Sequence, residues 1–372
     1  MKFRLEIRDR EFVTRHILDS EYMNLSWSYS RIGGCGSVGF ELPRKRFEER
    51  AITGGDNIRL YYRNTETDVY DLWYQGLVEE KTPTLRGNSE TISFQGHGYQ
   101  SQLSDVYLNN LTFTSLETSA IASAIIGTYV DPVKDINYSA GLIATTSFTP
   151  SSITFNETAL SAITKLSDLA GSVEWGVDKD RNFFFKQKSS EIGFRFVDGT
   201  HINEFQDILD FKEIANEVYV QGAQTGGTYH FFGPYSELSS QAKYGVITNV
   251  ISNSSITTSD VGAQFATSYI ADKSEVSKRA SCSLIDFSGL MESTTPIKLF
   301  AEIGKRFKYG QKKWGTGLYS GIVSRLINRI NYSLTNNGSL NIRLDLGQLK
   351  PNIAESIKGI EYELQQQKQA AL

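Results

Sequence analysis

The chain has 372 residues, with 38 Lys and Arg against 42 Asp and Glu and a formal net charge of −4. That length holds roughly two to four domains, and a charge so near neutral, spread along the chain, gives no sign of a dedicated nucleic-acid binder. The longest apolar run, around Ala120 to Ile126, is too short to span a bilayer. Tyr (19) and Phe (21) dominate the aromatics and suit half-buried sheet surfaces. The N-terminus alternates charged and apolar residues, so no signal-peptide core and no membrane anchor are expected. Cys35 and Cys282 read as free thiols of a protein made in a reducing cytosol.

In chain order, Phe3, Leu5 and Ile7 alternate with charges, the period of a strand. Leu25, Trp27 and Tyr29 repeat the alternation, and Gly33-Gly34-Cys35-Gly36 is expected to turn the chain into Val38, Phe40 and Leu42, a hairpin stopped by Pro43. Two stretches far apart then share a pattern. Gly55 opens Asn57–Tyr61, followed by Leu72–Val78 with Gly76, a Gly87-Asn88 turn, and Ile92–Gly96. Gly304 opens Lys305–Tyr309, followed by Leu318–Val323 with Gly321, an Asn336-Asn337-Gly338 turn, and Leu340–Gly347. Each copy reads as three short strands.

Between the copies the texture changes. Ser115 or Thr114 is expected to cap a helix with Ile121, Ala124, Ile125 and Tyr129 on one face. A second helix carries Leu160, Ile163, Leu166 and Leu169 and ends at Gly171. Val173–Val177 and Phe183–Phe185 read as strands across an Asp178-Lys179-Asp180 turn, completing a small α+β unit. Ala215–Gly222 is a strand, Gln224 to Thr228 a Gly-rich mobile loop, Val261 to about Lys273 a helix, and Ala280–Ile285 a strand. After Pro351, Ile353, Ile357, Ile360 and Leu364 have heptad a/d spacing, with Gln367 and Ala371 continuing it weakly. Two readings stand: a helix packed on its own domain, and an oligomerising or docking helix. The four apolar residues are the candidate oligomer or partner interface.

The motifs that carry chemistry are thin. Gly34-Cys35-Gly36-Ser37-Val38-Gly39 matches the dinucleotide-binding glycine pattern, but a strand-like Phe40–Pro43 follows where that motif needs a helix. Asp178, Asp180 and Asn182 have the spacing that opens a calcium loop, yet the sixth position is Phe183 rather than Gly. His16, His97, His201 and His230 are scattered, with no zinc signature. No G-x-S-x-G elbow is present. Trp73, Tyr74 and Trp314 are expected to fill a core or a subunit contact rather than to stack on sugars or bases. No catalytic residue, cofactor or metal is assigned.

Four stretches, in order, resemble the baseplate hub proteins of bacteriophage tails, relatives of the hub part of type VI secretion spikes. They are the N-terminal strand pair leading to Gly54-Gly55-Asp56 and Trp73–Gly76; Asn156–Ile163 through Gly171–Trp175 to Asp178; Ala215–Gly222; and Lys308-Tyr309 through Tyr319–Val323 to Leu346-Gly347. The resemblance implies a β-dominated α+β fold with two related small antiparallel β-barrels separated by a small α+β domain. The expected boundaries are 1–108 for the first barrel, 109–205 for the α+β insert, 206–350 for the second barrel with an inserted helix, and 351–372 for a C-terminal helix or tail. It implies a non-enzymatic virion protein, made in the host cytoplasm: a homotrimeric symmetry adaptor between a sixfold tail tube and a threefold tip. Its implied partners are the tail tube or distal tail protein, a spike or fibre protein, the tape-measure protein, and DNA passing transiently during genome ejection. A hexameric distal-tail ring, a carbohydrate- or receptor-binding β protein and a tail-associated hydrolase are the competing readings.

Overall fold

A computed structural model describes residues 3–45, 51–64, 68–86, 89–171, 173–188, 192–197, 201–284, 306–310, 323–335 and 338–347. The candidate interface residues Ile353, Ile357, Ile360 and Leu364 lie outside them, as do Trp314, the Gly87-Asn88 and Asn336-Asn337 turns, and most of the expected Leu318–Val323 strand.

The N-terminal part is seven strands: β1 (Phe3–Arg8), β2 (Thr14–Leu18), β3 (Met23–Ser30), β4 (Gly33–Pro43), β5 (Asn57–Asn64), β6 (Val69–Arg86) and β7 (Ser89–His97). They lie in the order β3-β4-β7-β6-β5-β1-β2, all antiparallel. Alternation decides the inward face: Phe3, Leu5 and Ile7 are buried, and so are Leu25, Trp27 and Tyr29. The expected glycine turn is corrected. The chain reverses at Arg31-Ile32, and Gly33–Gly36 are already strand β4.

The middle block holds β8 (Tyr107–Thr114), α1 (Thr118–Ala124), β9 (Ser152–Thr158), α2 (Ala159–Ala170), β10 (Val173–Val177) and β11 (Phe183–Gln187). Helix α1 starts later than expected, with Glu117 rather than Ser115 at its N-cap. It then widens into a π-helical turn over Ile125–Val130. Ile121 and Ile125 are buried as expected, while the wider turn rotates Tyr129 out to solvent and brings Ile126 and Val130 into the core. Helix α2 follows the prediction. The Thr158 side chain accepts from the Ser161 N–H, Ile163, Leu166 and Leu169 are buried, and Gly171 ends it at φ +75°.

The remaining elements are β12 (Ile192–Val197), β13 (Ile202–Asp210), β14 (Glu217–Thr225), β15 (Thr228–Ser236), α3 (Leu238–Tyr244), β16 (Thr248–Ser252), α4 (Ser259–Lys273), β17 (Ser277–Leu284), β18 (Arg306–Gly310), β19 (Val323–Leu334) and β20 (Leu340–Gly347). The expected mobile loop is the tight β14–β15 hairpin instead. Thr225 pairs with Thr228 across Gly226-Gly227, both at positive φ as such a turn requires.

The chain is thus β-dominated α+β, but the strands of both copies belong to one continuous sheet in the order β13-β17-β20-β19-β3-β4-β7-β6-β5-β1-β2. Two cores result. One joins the N-terminal strands to Ile202, Ala280, Cys282, Leu284 and the buried faces of β19 and β20. The other joins the middle block to Val218, Val220, Ile251, Ile256, Val261, Ala266 and Ile270. Residues 214–275 therefore pack with the middle block rather than with the strands that flank them in sequence. The blocks meet where β10 pairs in parallel with β4, Gly176 opposite Gly33 and Val177 opposite Gly34. A Cβ on Gly34 would lie 2.1 Å from the Val177 carbonyl oxygen, and one on Gly176 2.3 Å from the Gly34 nitrogen, so only glycine admits this approach.

Candidate assembly surface

The two copies can be superposed strand by strand from their pairing. In the first, β3 and β4 pair, then β5, β6 and β7 form a meander, giving the sheet order β3-β4-β7-β6-β5. In the second, β13 and β17 pair, then β18, β19 and β20 form a meander, giving β13-β17-β20-β19-β18, again all antiparallel. The long middle strand of each meander hands over from one neighbour to the other at the same place. β6 pairs with β5 up to Leu77 and with β7 from Leu77 onward, while β19 pairs with β18 up to Leu326 and with β20 from Ile327. At the handover each carries one extra residue, Glu79 between Val78 and Glu80, and Asn328 between Ile327 and Arg329. Such bulges re-aim a strand and are built features rather than defects. Each bulged side chain reaches the end of the third strand: Glu79 Oε2 lies 2.7 Å from His97 Nδ1, and Asn328 Nδ2 donates to the Gly347 carbonyl.

This bulge corrects the match made on glycines alone. It aligns Gly96 with Leu346 and His97 with Gly347, one residue away from the glycine-to-glycine alignment. The expected equivalent of Gly76, Gly321, lies outside the described residues, and the pairing makes Arg325 the counterpart of Gly76 in the second copy.

The copies are joined edge to edge. β3 pairs antiparallel with β19 from Ser30↔Arg329 to Ser26↔Ser333. Behind that seam Trp27 stacks on Tyr332 with centroids 5.1 Å apart and planes at 6°, while Trp73 packs edge-on against both and Phe3 packs at a tilt on Trp27. At its end the Arg31 N–H donates to the Asn328 carbonyl at 2.7 Å, and Arg31 Nε donates to Asn328 Oδ1 at 3.0 Å. The seam buries Ser28, Tyr29 and Ser30 on one side and Ile330 and Tyr332 on the other. On the far side of the second copy β13 pairs only with β17 among the described residues. Asp207 there is bound by Arg325 at 3.0 Å and Asp210 by Arg279, both from the same copy. Ile208 (41%), Leu209 (53%) and Phe211 (61%) stay exposed.

Burial pushes the Cys35 and Cys282 thiols up to about 12, which keeps them protonated and poorly nucleophilic at neutral pH. A cavity of about 430 Å3 beside Cys35 is lined by Tyr29, Leu142, Asp178, Lys179 and Phe184 among others, and no histidine borders it. The Asp178 carboxylate accepts from the backbone N–H groups of Asp180 and Asn182 at 2.8 and 2.9 Å, the hydrogen bonding of a turn rather than of an ion site. Among the described residues no group of three or more His, Cys, Asp or Glu is placed to hold a metal. Trp73 and Tyr74 are fully buried and form no exposed platform.

No family model matches the chain, and no curated protein matches it by sequence. Solved structures do. The 43 kDa tail protein of prophage MuSo2 from Shewanella oneidensis aligns with a TM-score of 0.63 at 13% identity, covering 93% of this chain and 97% of that one. This chain has the fold of prophage tail proteins. The tail protein from Neisseria meningitidis MC58 gives 0.62 at 12% identity over 94% and 97% of the two chains. The prophage tail protein gp18 from Listeria monocytogenes EGD-e gives 0.54 at 11% over 98% and 100%. The tail-protein fold spans nearly the whole of each chain and agrees with the resemblance to baseplate hub proteins read from the sequence.

Proposed function

We propose that this chain is a structural virion protein: a trimeric tail baseplate hub that joins a sixfold tail tube to a threefold tip and lines a channel for DNA. The observation that carries this reading is the duplicated five-strand sheet with the same bulge, its copies joined edge to edge within one chain. Three such chains supply six copies, and closed rotational symmetry is the usual way a soluble homo-oligomer is built. The path from β3 through β1 ends on β2, and the path from β13 through β18 ends on β12. In each the end strands are consecutive in the chain, which supports a small barrel-like curl of each copy that leaves the outer edge of β3 or β13 open to a neighbouring sheet. The divisions expected at 108/109 and 205/206 fall inside β8 and β13, so in this reading the middle block begins with β8 and the second copy with β12, the division at 350/351 is kept, and 214–275 is an insertion between β13 and β17 that docks on the middle block. Tail tube or distal tail protein, spike or fibre and tape-measure protein are the partners of this reading, DNA passes transiently, and Ile353, Ile357, Ile360 and Leu364 are a docking stripe. The chain does no catalysis, and any digestion of the host wall belongs to another protein.

A hexameric distal-tail ring would place twelve copies of the sheet in one ring, so the duplication favours the trimer. Light scattering on the purified protein is the test. A mass near three times the 41.6 kDa chain is expected; a monomer at high concentration contradicts the proposal.

A further inference from the structure

The seam inside the chain uses one edge of each copy, β3 of the first and the outer half of β19 of the second. The duplication leaves the two equivalent edges without each other: β13, which corresponds to β3, and the outer half of β6, which corresponds to the outer half of β19. The burial of several paired positions differs between the seam and these edges. Ser28 and Tyr29 are buried under β19, whereas their counterparts Ile208 and Leu209 are exposed, and Asp210, the counterpart of the buried Ser30, is half-buried. Ile330 and Tyr332 are buried under β3, whereas their counterparts Lys81 and Pro83 are exposed. Leu334 packs on the core, whereas its counterpart Leu85 is 69% exposed.

We propose that a second copy of this chain fills this gap: β13 of one chain pairs antiparallel with the outer half of β6 of the next, Gln206–Asp210 running against Thr84–Glu80. The register is that of the internal seam carried over by the duplication, and it rests on the ring reading above. It sets Ile208 opposite Thr82 and Leu209 opposite Lys81, and brings Phe211 and Lys212, the counterparts of Arg31 and Ile32, to Glu79 and Glu80. Lys212 then meets acidic side chains, while Asp207 and Asp210 are already neutralised by Arg325 and Arg279. An edge strand showing two adjacent apolar residues is a hazard that soluble proteins avoid unless something covers it. Pro83 has no N–H to give, so this joint has fewer ladder bonds than the internal one. That suits a contact made between chains after each has folded.

Antiparallel partners sit ~4.5–5.5 Å apart between Cα atoms, within the span of a disulfide. The double variant Thr82→Cys/Ile208→Cys should therefore give a covalent trimer on a non-reducing gel under mild oxidation, while each single variant does not. Ile208→Lys, at an exposed site, should reduce the mass by light scattering to one chain while the far-ultraviolet circular dichroism stays that of the folded wild type. If the wild type is a trimer but the double variant stays uncrosslinked and Ile208→Lys stays trimeric, this edge is wrong and the ring reading stands. If the wild type is a monomer at high concentration, both are overturned.

Discussion

Single residues set the terms on which this sheet holds together, and the buried thiols and phenols are the simplest to read. Burial raises Cys35 and Cys282 from 9.0 to about 12, and Tyr22 and Tyr99 from 10.0 to about 12. Above pH 9 the unfolded chain releases protons that the fold still holds. Stability therefore falls as pH rises from about 9 toward 12, and these groups leave it untouched below 9. Thermal midpoints measured from pH 7 to 11 should be level and then decline beyond pH 9, and Ellman's reagent should find both thiols only after denaturation. A rapid reaction of either thiol in the native protein contradicts the burial. Glycine makes a second residue-scale test. A Cβ at Gly96 would lie 1.9 Å from the Leu77 carbonyl oxygen, whereas one at Gly54 meets nothing within 4 Å. Gly96→Ala should cost about 1–3 kcal/mol in urea unfolding, and Gly54→Ala less than about 0.5 kcal/mol. Asn328→Ala should cost about 1–3 kcal/mol, because the buried Arg31 guanidinium and the Gly347 carbonyl each lose a bond.

At the scale of elements, the seam between β3 and β19 is the contact that makes one body of two copies. Trp27→Ala and Tyr332→Ala should each cost about 3–5 kcal/mol, and a double-mutant cycle should return a coupling of about 0.5–1.5 kcal/mol for the stacked pair. Additive losses would mean that the stack adds nothing beyond buried area. The sequence carried much of this at element level. Period-two alternation located β1 and β3, the repeated glycine-bounded pattern located β5, β6, β7 and β20, and the helical period with its Gly171 stop located α2. Other features left no such trace. β2, β13, β15 and β16 are short or exposed on both faces, so hydrophobic alternation is weak in them. The glycines of β4 resembled a turn because close backbone approach and chain reversal both call for glycine. The matched bulges at Glu79 and Asn328 share a place in the ladder and no side-chain likeness, so only the pairing reveals them. The free edge of β13 was equally hidden, since an edge is defined by what does not pair with it.

The whole molecule is two copies of one antiparallel sheet pattern, joined by one seam and braced by a middle block that gathers residues 214–275 into its own core. In the proposed trimer such a chain would carry its own adaptor between threefold and sixfold symmetry, each internal seam standing for one of the six contacts of a ring. The central claim is that three chains close such a ring. Class averages of the purified protein by electron microscopy test it most directly. The account predicts end-on views with six similar lobes around an open centre and a mass of three chains; single globular particles, or a ring holding a number of chains other than three, would contradict it.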